Sequence, residues 1–274
     1  MPLNTGWIRY GKDDQYIGYA ARPDHVDGTL PAVIVFQEIW GVDEHIQDVT
    51  RRFGQAGYVA FAPDLYARNG ERTAGFQADR IEAVKRFLEG LTPTAWHDAA
   101  ERDKALAALP GNQGQLVGET FSKLFGGLDM DNYTEQIVET ARFLREDFEA
   151  SKGQKAASVG FCMGGALSAH LAGHDANLAG AVIFYGRAPK QEVLERIACP
   201  VRGFFGELDV QLTQTVPAFA EAMKAADKDF EYIVYDGAHH AFFNDTRRSY
   251  NVDASRDAFT RTLAFFNQRL SNAN

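Results

Sequence analysis

The chain is poor in cysteine. Its 274 residues include two, Cys162 and Cys199. Two cysteines cannot build a disulfide framework, and a chain this long buries roughly three quarters of its unfolded surface without one. The expectation is a reducing, cytoplasmic setting. Long apolar runs are also missing. The longest, Pro31 to Trp40, is broken by Gln37 and Glu38 and falls far short of the ~20 apolar residues of a membrane span. The opening Met1-Pro2-Leu3-Asn4-Thr5-Gly6-Trp7 has no basic stretch leading into an apolar one, so no secretion signal is read there. The sequons at Asn132 and Asn244 are accordingly read as inert. Positive charge is in deficit, with 28 Lys and Arg against 37 Asp and Glu and a net charge of −9. That balance argues against nucleic acid and anionic membrane as partners. No repeat with a period of about 20–50 residues is present, which removes solenoids and propellers.

What is present is an alternation. Ala32-Val33-Ile34-Val35-Phe36 is continuously apolar, as a strand buried on both faces of a parallel sheet must be. Asp43 to Ala56 then carries Ile46, Val49, Phe53 and Ala56 at the spacing of one helix face. Gly57 stops that helix, and Tyr58–Ala62 reads as the next strand, closed by Pro63. Downstream, Ile137, Ala141, Leu144 and Phe148 stripe a helix before a strand at Ala156–Phe161. Further strands are expected at Ala179–Phe184, Val201–Phe205 and Tyr232–Tyr235, and helices at about Thr215–Ala226 and Asp253–Leu270. This pattern predicts one α/β domain over residues 1–274, with a mostly parallel sheet and helices on both faces. Residues 68–130 break it. Two helix-like stretches, about Gln77–Leu88 and Thr94–Leu109, precede the glycine-rich Pro110-Gly111-Asn112-Gln113-Gly114. The segment reads as a helical insertion over the carboxyl edge of the sheet, in the place of a lid.

The sharpest motif is Gly160-Phe161-Cys162-Met163-Gly164-Gly165. A strand runs into it and a helix of small residues leaves it, the setting of a G-x-S-x-G nucleophile elbow with cysteine in place of serine. Glycines two positions before and after the nucleophile leave room for the tight turn. The sulfur then sits at a helix N-terminus, which favours its anion, and the Met163 N–H points at an oxyanion. Two further pieces follow in chain order. Gly206-Glu207-Leu208-Asp209 ends one strand, and Asp236-Gly237-Ala238-His239-His240-Ala241-Phe242 follows another. Nucleophile, acid, then histidine, each at a strand's carboxyl end, is the α/β-hydrolase order.

With these motifs the sequence resembles the dienelactone hydrolase family of α/β-hydrolases, whose nucleophile is cysteine. Gln37-Glu38-Ile39-Trp40-Gly41 and Pro63-Asp64-Leu65-Tyr66-Ala67-Arg68 match it as well, so that the likeness runs from about residue 5 to 270 apart from the insertion. The resemblance implies a triad of Cys162, His240 and Asp209, with His240 preferred to His239 because it aligns with the family's Ala-Gly-His-Ser-Phe pattern. It implies that Glu38 contacts the resting thiol and helps form the thiolate, and that the Ile39 N–H is the second oxyanion donor. A buried carboxylate that takes the thiol proton only when substrate binds would spare the sulfur from oxidation. Family members that hydrolyse dienelactone hold the substrate carboxylate with arginines, one of them four residues after the catalytic histidine. Here that residue is Asn244. Arg247, Arg72 and Arg80 are candidates by location only, and Trp40 and Tyr185 are candidates for an apolar pocket wall.

The expected reaction is hydrolysis of a lactone or activated ester through a cysteine thioester, on a small-molecule substrate and with no cofactor. His170 and His174, four apart on a helix, have no evident third ligand, so no metal is expected. Two other readings stay open: a carboxylesterase of bulkier esters, and a non-catalytic scaffold whose Cys162 responds to redox or ligand.

Overall fold

The computed structural model describes residues 2–92, 98–126 and 129–271. The chain forms two compact units, Met1–Leu65 with Met130–Asn274, and Tyr66–Asp129. No helix among the described residues is long and apolar enough to cross a membrane.

The larger unit is built on a sheet of eight strands: β1 (Leu3–Tyr10), β2 (Tyr16–Pro23), β3 (Ala32–Phe36), β4 (Val59–Pro63), β5 (Ala156–Phe161), β6 (Ala181–Phe184), β7 (Val201–Gly206) and β8 (Phe230–Tyr235). Their order is β1-β2-β4-β3-β5-β6-β7-β8. The joints β1/β2 and β2/β4 are antiparallel and the rest are parallel. In β3, β4, β5 and β6 every residue is buried. Successive side chains of a strand point to opposite faces, so both faces of the central sheet are covered. The chain is therefore an α/β fold with a mostly parallel sheet, as the alternation predicts. The helices of this unit are α1 (Glu44–Gln55), α2 (Thr134–Glu146), α3 (Met163–Ala172), α4 (Val216–Ala225) and α5 (Val252–Leu270), with single turns at Gln191–Leu194 and Val210–Thr213.

Helix α1 shows how local sequence sets an element. The Asp43 side chain accepts the Ile46 N–H at 3.1 Å and caps its start. Ile46, Val49 and Phe53 are buried on one face. Ala56, expected to extend that stripe, is exposed instead, because the chain turns away at Gly57 with φ +99°. The N-terminal hairpin was not predicted. Its outer strand β1 alternates incompletely between exposed and half-buried residues, the signature of an edge strand with little apolar patterning.

In the smaller unit, residues 67–68 and 71–72 form a two-stranded ladder, and helices span Ala78–Glu89, Ala99–Ala107 and Gln113–Phe125. The start of the expected Thr94–Leu109 helix lies outside the described residues. Within it the helix begins after Asp98, whose carboxylate accepts the Ala100 and Glu101 N–H groups. The Gln113–Phe125 helix was not predicted, and it takes in Gln113 and Gly114 at the end of the glycine-rich stretch Pro110–Gly114. Gly114 belongs to it for a packing reason: a Cβ there would lie 2.2 Å from the Leu106 carbonyl oxygen, so the glycine marks a close approach of two chain segments.

Candidate active site

The site begins with the register of β3 and β5, where Phe36 pairs with Gly160. Glu38 and Cys162 each stand two residues beyond that pair, so two neighbouring parallel strands deliver them to the same edge of the sheet. Cys162 has φ 56° and ψ −114°, outside the regions favoured by L-residues, and a strain of about 1–3 kcal/mol is typical of such a residue. The surroundings enforce it. The Cys162 N–H donates to the Phe184 carbonyl at 3.0 Å and the Cys162 carbonyl accepts from Gly165 N at 3.0 Å. A Cβ on Gly160 would fall 1.8 Å from the Gly164 carbonyl oxygen, and one on Gly164 would fall 2.3 Å from that of Phe36. A Cβ on Gly165 would lie 2.8 Å from the Phe184 carbonyl oxygen and 2.9 Å from the Gly186 Cα. The glycine spacing is thus a steric requirement, and Ser158 and Ser168, 2.8 Å apart and buried, tie β5 to α3 behind the turn. The sulfur-bearing residue is partly exposed, while Cys199 is buried and its thiol is pushed up to about 12 by desolvation.

The loops after β7 and β8 are held to each other. Leu208 N donates to the Ala238 carbonyl at 2.9 Å, Gly237 N donates to Glu207 Oε2 at 2.8 Å, and a Cβ on Gly206 would lie 2.5 Å from the Ala238 oxygen. This lock sets Asp209 beside His240, whose Nδ1 donates to Asp209 Oδ2 at 2.5 Å. The carboxylate thus meets His240, the histidine preferred to His239. Cys162 acts on His240 through its charge. Burial pulls the imidazole toward its neutral form, but the Cys162 sulfur and the Asp209 carboxylate outweigh it and hold the group well above the usual histidine range.

Glu38 is buried. Its Oε1 accepts the Tyr185 hydroxyl at 3.3 Å and its Oε2 accepts Asn244 Nδ2 at 2.8 Å. Burial, then the Glu38 charge and the Cys162 sulfur, raise the Tyr185 phenol well above its ordinary value, so it stays a donor. The Tyr185 ring also lies 5.1 Å from the His240 ring. Sequence reasoning proposed Tyr185 as a pocket wall and noticed Asn244 only for its lack of charge. The structure puts both on Glu38.

Ile39 and Trp40 are buried directly after Glu38, and Met163 opens α3 directly after Cys162. The Arg247 guanidinium stacks over the Trp40 ring at 5.0 Å, a cation–π contact next to the site. The other two arginines lie in the smaller unit. Arg72 is in its short ladder. Arg80 is braced against the Gln113–Phe125 helix, donating to the Leu116 carbonyl at 2.7 Å, to Thr120 Oγ1 at 3.2 Å and to Glu119 at 3.3 Å. His170 Nε2 is 2.8 Å from Thr134 Oγ1, and His174 Nδ1 donates to the His170 carbonyl at 2.8 Å. Among the described residues no three His, Cys, Asp or Glu side chains are grouped to hold a metal ion.

Residues 17–270 match the profile of the dienelactone hydrolase family. A Saccharolobus solfataricus protein with the provisional name carboxymethylenebutenolidase is 34% identical over 235 residues, covering 85% of this chain and 88% of its own. An Escherichia coli K12 protein with the same provisional name is 31% identical over 266 residues, covering 93% of this chain and 83% of its own. The crystal structure of a provisionally named dienelactone hydrolase from Klebsiella pneumoniae superposes with a TM-score of 0.73 at 28% identity, over 98% of this chain and 100% of that one. With an eight-stranded α/β sheet, a strained cysteine elbow and a family match from Ile17 to Leu270, the chain belongs to the dienelactone hydrolase family of hydrolases.

Proposed function

We propose that the chain hydrolyses a lactone or activated ester through a thioester on Cys162. The observation that carries this reading is the strained Cys162 elbow on the same sheet edge as His240, with Asp209 2.5 Å from the His240 Nδ1. Glu38 takes the thiol proton when substrate enters, and the thiolate attacks the carbonyl carbon. The oxygen that gains charge is received by the Ile39 and Met163 N–H groups, each worth about 3–4 kcal/mol of barrier in comparable sites. Collapse of the tetrahedral intermediate expels the alkoxide or enolate, which takes the proton of the His240 imidazolium, and leaves the thioester. The now neutral His240, oriented by Asp209, removes a proton from water, which attacks the thioester and releases the acid, and Glu38 returns its proton to the freed Cys162 thiolate. A thiolate is itself a good leaving group, so forward collapse requires an alkoxide or enolate that leaves at least as readily. That favours enol lactones and aryl esters over amides. The name of the relatives supports a carboxymethylene-substituted butenolide as the first substrate to test. The pairing of a free thiol nucleophile with no disulfide supports a cytoplasmic setting.

The test compares wild type with Cys162→Ala and Cys162→Ser on p-nitrophenyl acetate and an enol lactone, with intact-mass detection of the acyl-enzyme. Cys162→Ala is expected to lose turnover by at least about 10³-fold, and wild type to show a transient acyl adduct on Cys162. Unchanged hydrolysis by Cys162→Ala, or an adduct that forms and never turns over, refutes the reading. The second outcome points to the ligand-responsive scaffold instead.

A further inference from the structure

One buried hydrogen bond joins two parts of the site that come from opposite ends of the chain. Asn244 is 1% exposed, and its Nδ2 donates to Glu38 Oε2 at 2.8 Å. The other end of the amide fixes its orientation. Asn244 Oδ1 accepts the Thr246 N–H at 3.1 Å and the Thr246 hydroxyl at 2.7 Å. A flipped amide would set its NH2 against the Thr246 N–H and its oxygen against the Glu38 carboxylate, which loses the bonds to both and leaves only the Thr246 hydroxyl as a partner. With the Tyr185 hydroxyl on Oε1, the carboxylate is held by two uncharged donors. A neutral donor steadies a carboxylate without cancelling its charge, which suits a group that must pick up a proton during the reaction.

We propose that Asn244 is a positioning residue: its amide aims the Glu38 carboxylate at the Cys162 thiol and sets the pH above which that carboxylate accepts the thiol proton. The inference rests on the role given to Glu38 above. Loss of a hydrogen bond to an ionised group makes ionisation harder. Removing the amide therefore moves the acidic limb of activity to higher pH.

The experiment measures kcat/KM for p-nitrophenyl acetate and the rate of Cys162 alkylation by iodoacetamide as functions of pH. It uses wild type, Asn244→Leu, Asn244→Asp, Glu38→Gln and the double variant Glu38→Gln/Asn244→Leu. In Asn244→Leu the acidic limb is expected to rise by about one pH unit, the size of one hydrogen bond to a charged group. Asn244→Asp keeps the acceptor for Thr246 and is expected to raise it further, because two carboxyl groups then share one place. A folding defect in the leucine variant cannot account for both. In the Glu38→Gln background Asn244→Leu should add no shift. Acidic limbs that stay at the wild-type position in both Asn244 variants, while Glu38→Gln moves its own, overturn the inference and leave the reading of Glu38 standing. An equal loss with and without Glu38 also overturns it. A pH profile untouched by Glu38→Gln overturns the role of Glu38 itself, and the inference with it.

Discussion

Asp209→Asn tests whether the carboxylate behind His240 does chemical work or merely anchors a loop. The imidazole is 44% exposed and the Asp209 side chain 14%, so the pair is part-wet and its bond falls in the range of ordinary charge-assisted hydrogen bonds. Such a bond is worth about 1.5–3 kcal/mol, or about 10- to 150-fold in rate, if the asparagine presents its oxygen and only the charge is lost. If it presents its NH2, His240 is forced into the tautomer with its proton facing Cys162 and cannot remove a proton from water; the comparable change in a serine triad costs about 10⁴-fold. The expected fall in kcat on p-nitrophenyl acetate is therefore between about 10 and 10⁴. The direction on pH is also fixed. Burial favours the neutral ring, while Cys162 and Asp209 hold it charged, so losing one of those two lowers the pH at which the imidazolium gives up its proton. His240 must be neutral to take a proton from water, so the acidic limb of the kcat profile should move down. Two results would refute this: a fall of less than tenfold, or an acidic limb at its wild-type position in a folded variant.

His170 is 3% exposed, and burial with the neighbouring His174 lowers it from 6.5 to about 4. The unfolded chain binds the proton first, so stability is complete above about pH 6.5 and is lost as pH falls toward 4, by up to about 3 kcal/mol. Urea midpoints of His170→Gln are expected to differ less between pH 7.5 and 5 than those of wild type, and an undiminished acid sensitivity would reject this source. Glycine substitutions should divide by what a Cβ meets. At Gly164 the obstruction is backbone, the Phe36 and Gln37 oxygens at 2.3 and 2.5 Å, so Gly164→Ala is expected to cost about 3 kcal/mol or more and to displace the elbow. At Gly118, inside a helix, it meets Leu106 Cδ1 at 3.4 Å, so Gly118→Ala should gain about 1 kcal/mol by helix propensity. Thermal unfolding of the two variants measures both.

Legibility in the sequence followed the physical strength of each signal. The strand Ala32–Phe36 has the bounds that its unbroken apolar run suggests, and Ala156–Phe161 was also placed, its one buried polar side chain, Ser158, being paired with Ser168. The elbow was legible because its glycines answer to atoms less than 3 Å away. The edge hairpin was not, because half of β1 faces away from the core. The helix at Gln113–Phe125 was hidden by glycines that serve close packing, a use that composition cannot distinguish from a loop. Within the site, the strand-end residues 38, 162, 209 and 240 could be named from motif and resemblance, but the contact of Asn244 with Glu38 spans 206 positions. No local pattern encodes it. A neutral residue at that position is informative only once its partner is known.

The sheet order explains why these distant residues meet. Glu38, Cys162, Tyr185, Asp209 and His240 follow β3, β5, β6, β7 and β8, five strands that are consecutive neighbours in the sheet. Parallel strands put their carboxyl ends on one edge, so the order along that edge equals the order along the chain. Neighbouring strands are ~4.8 Å apart, which leaves His240, on the outermost strand, about three spacings from Cys162 and beyond the reach of a side chain. The loop after β8 must fold back across β7 and β6. Gly237 and Ala241, with φ of 64° and 59°, make the turns, the Leu208–Ala238 bond fixes the crossing over β7, and the Tyr185 ring meets the imidazole over β6. The same loop ends at Glu38 through Asn244, and Asp245 next to it is paired with Arg52 of α1 at 2.5 Å. The return loop is therefore pinned at both its crossing and its far end. The Asn244 bond is the point at which the loop that carries His240 is tied to Glu38.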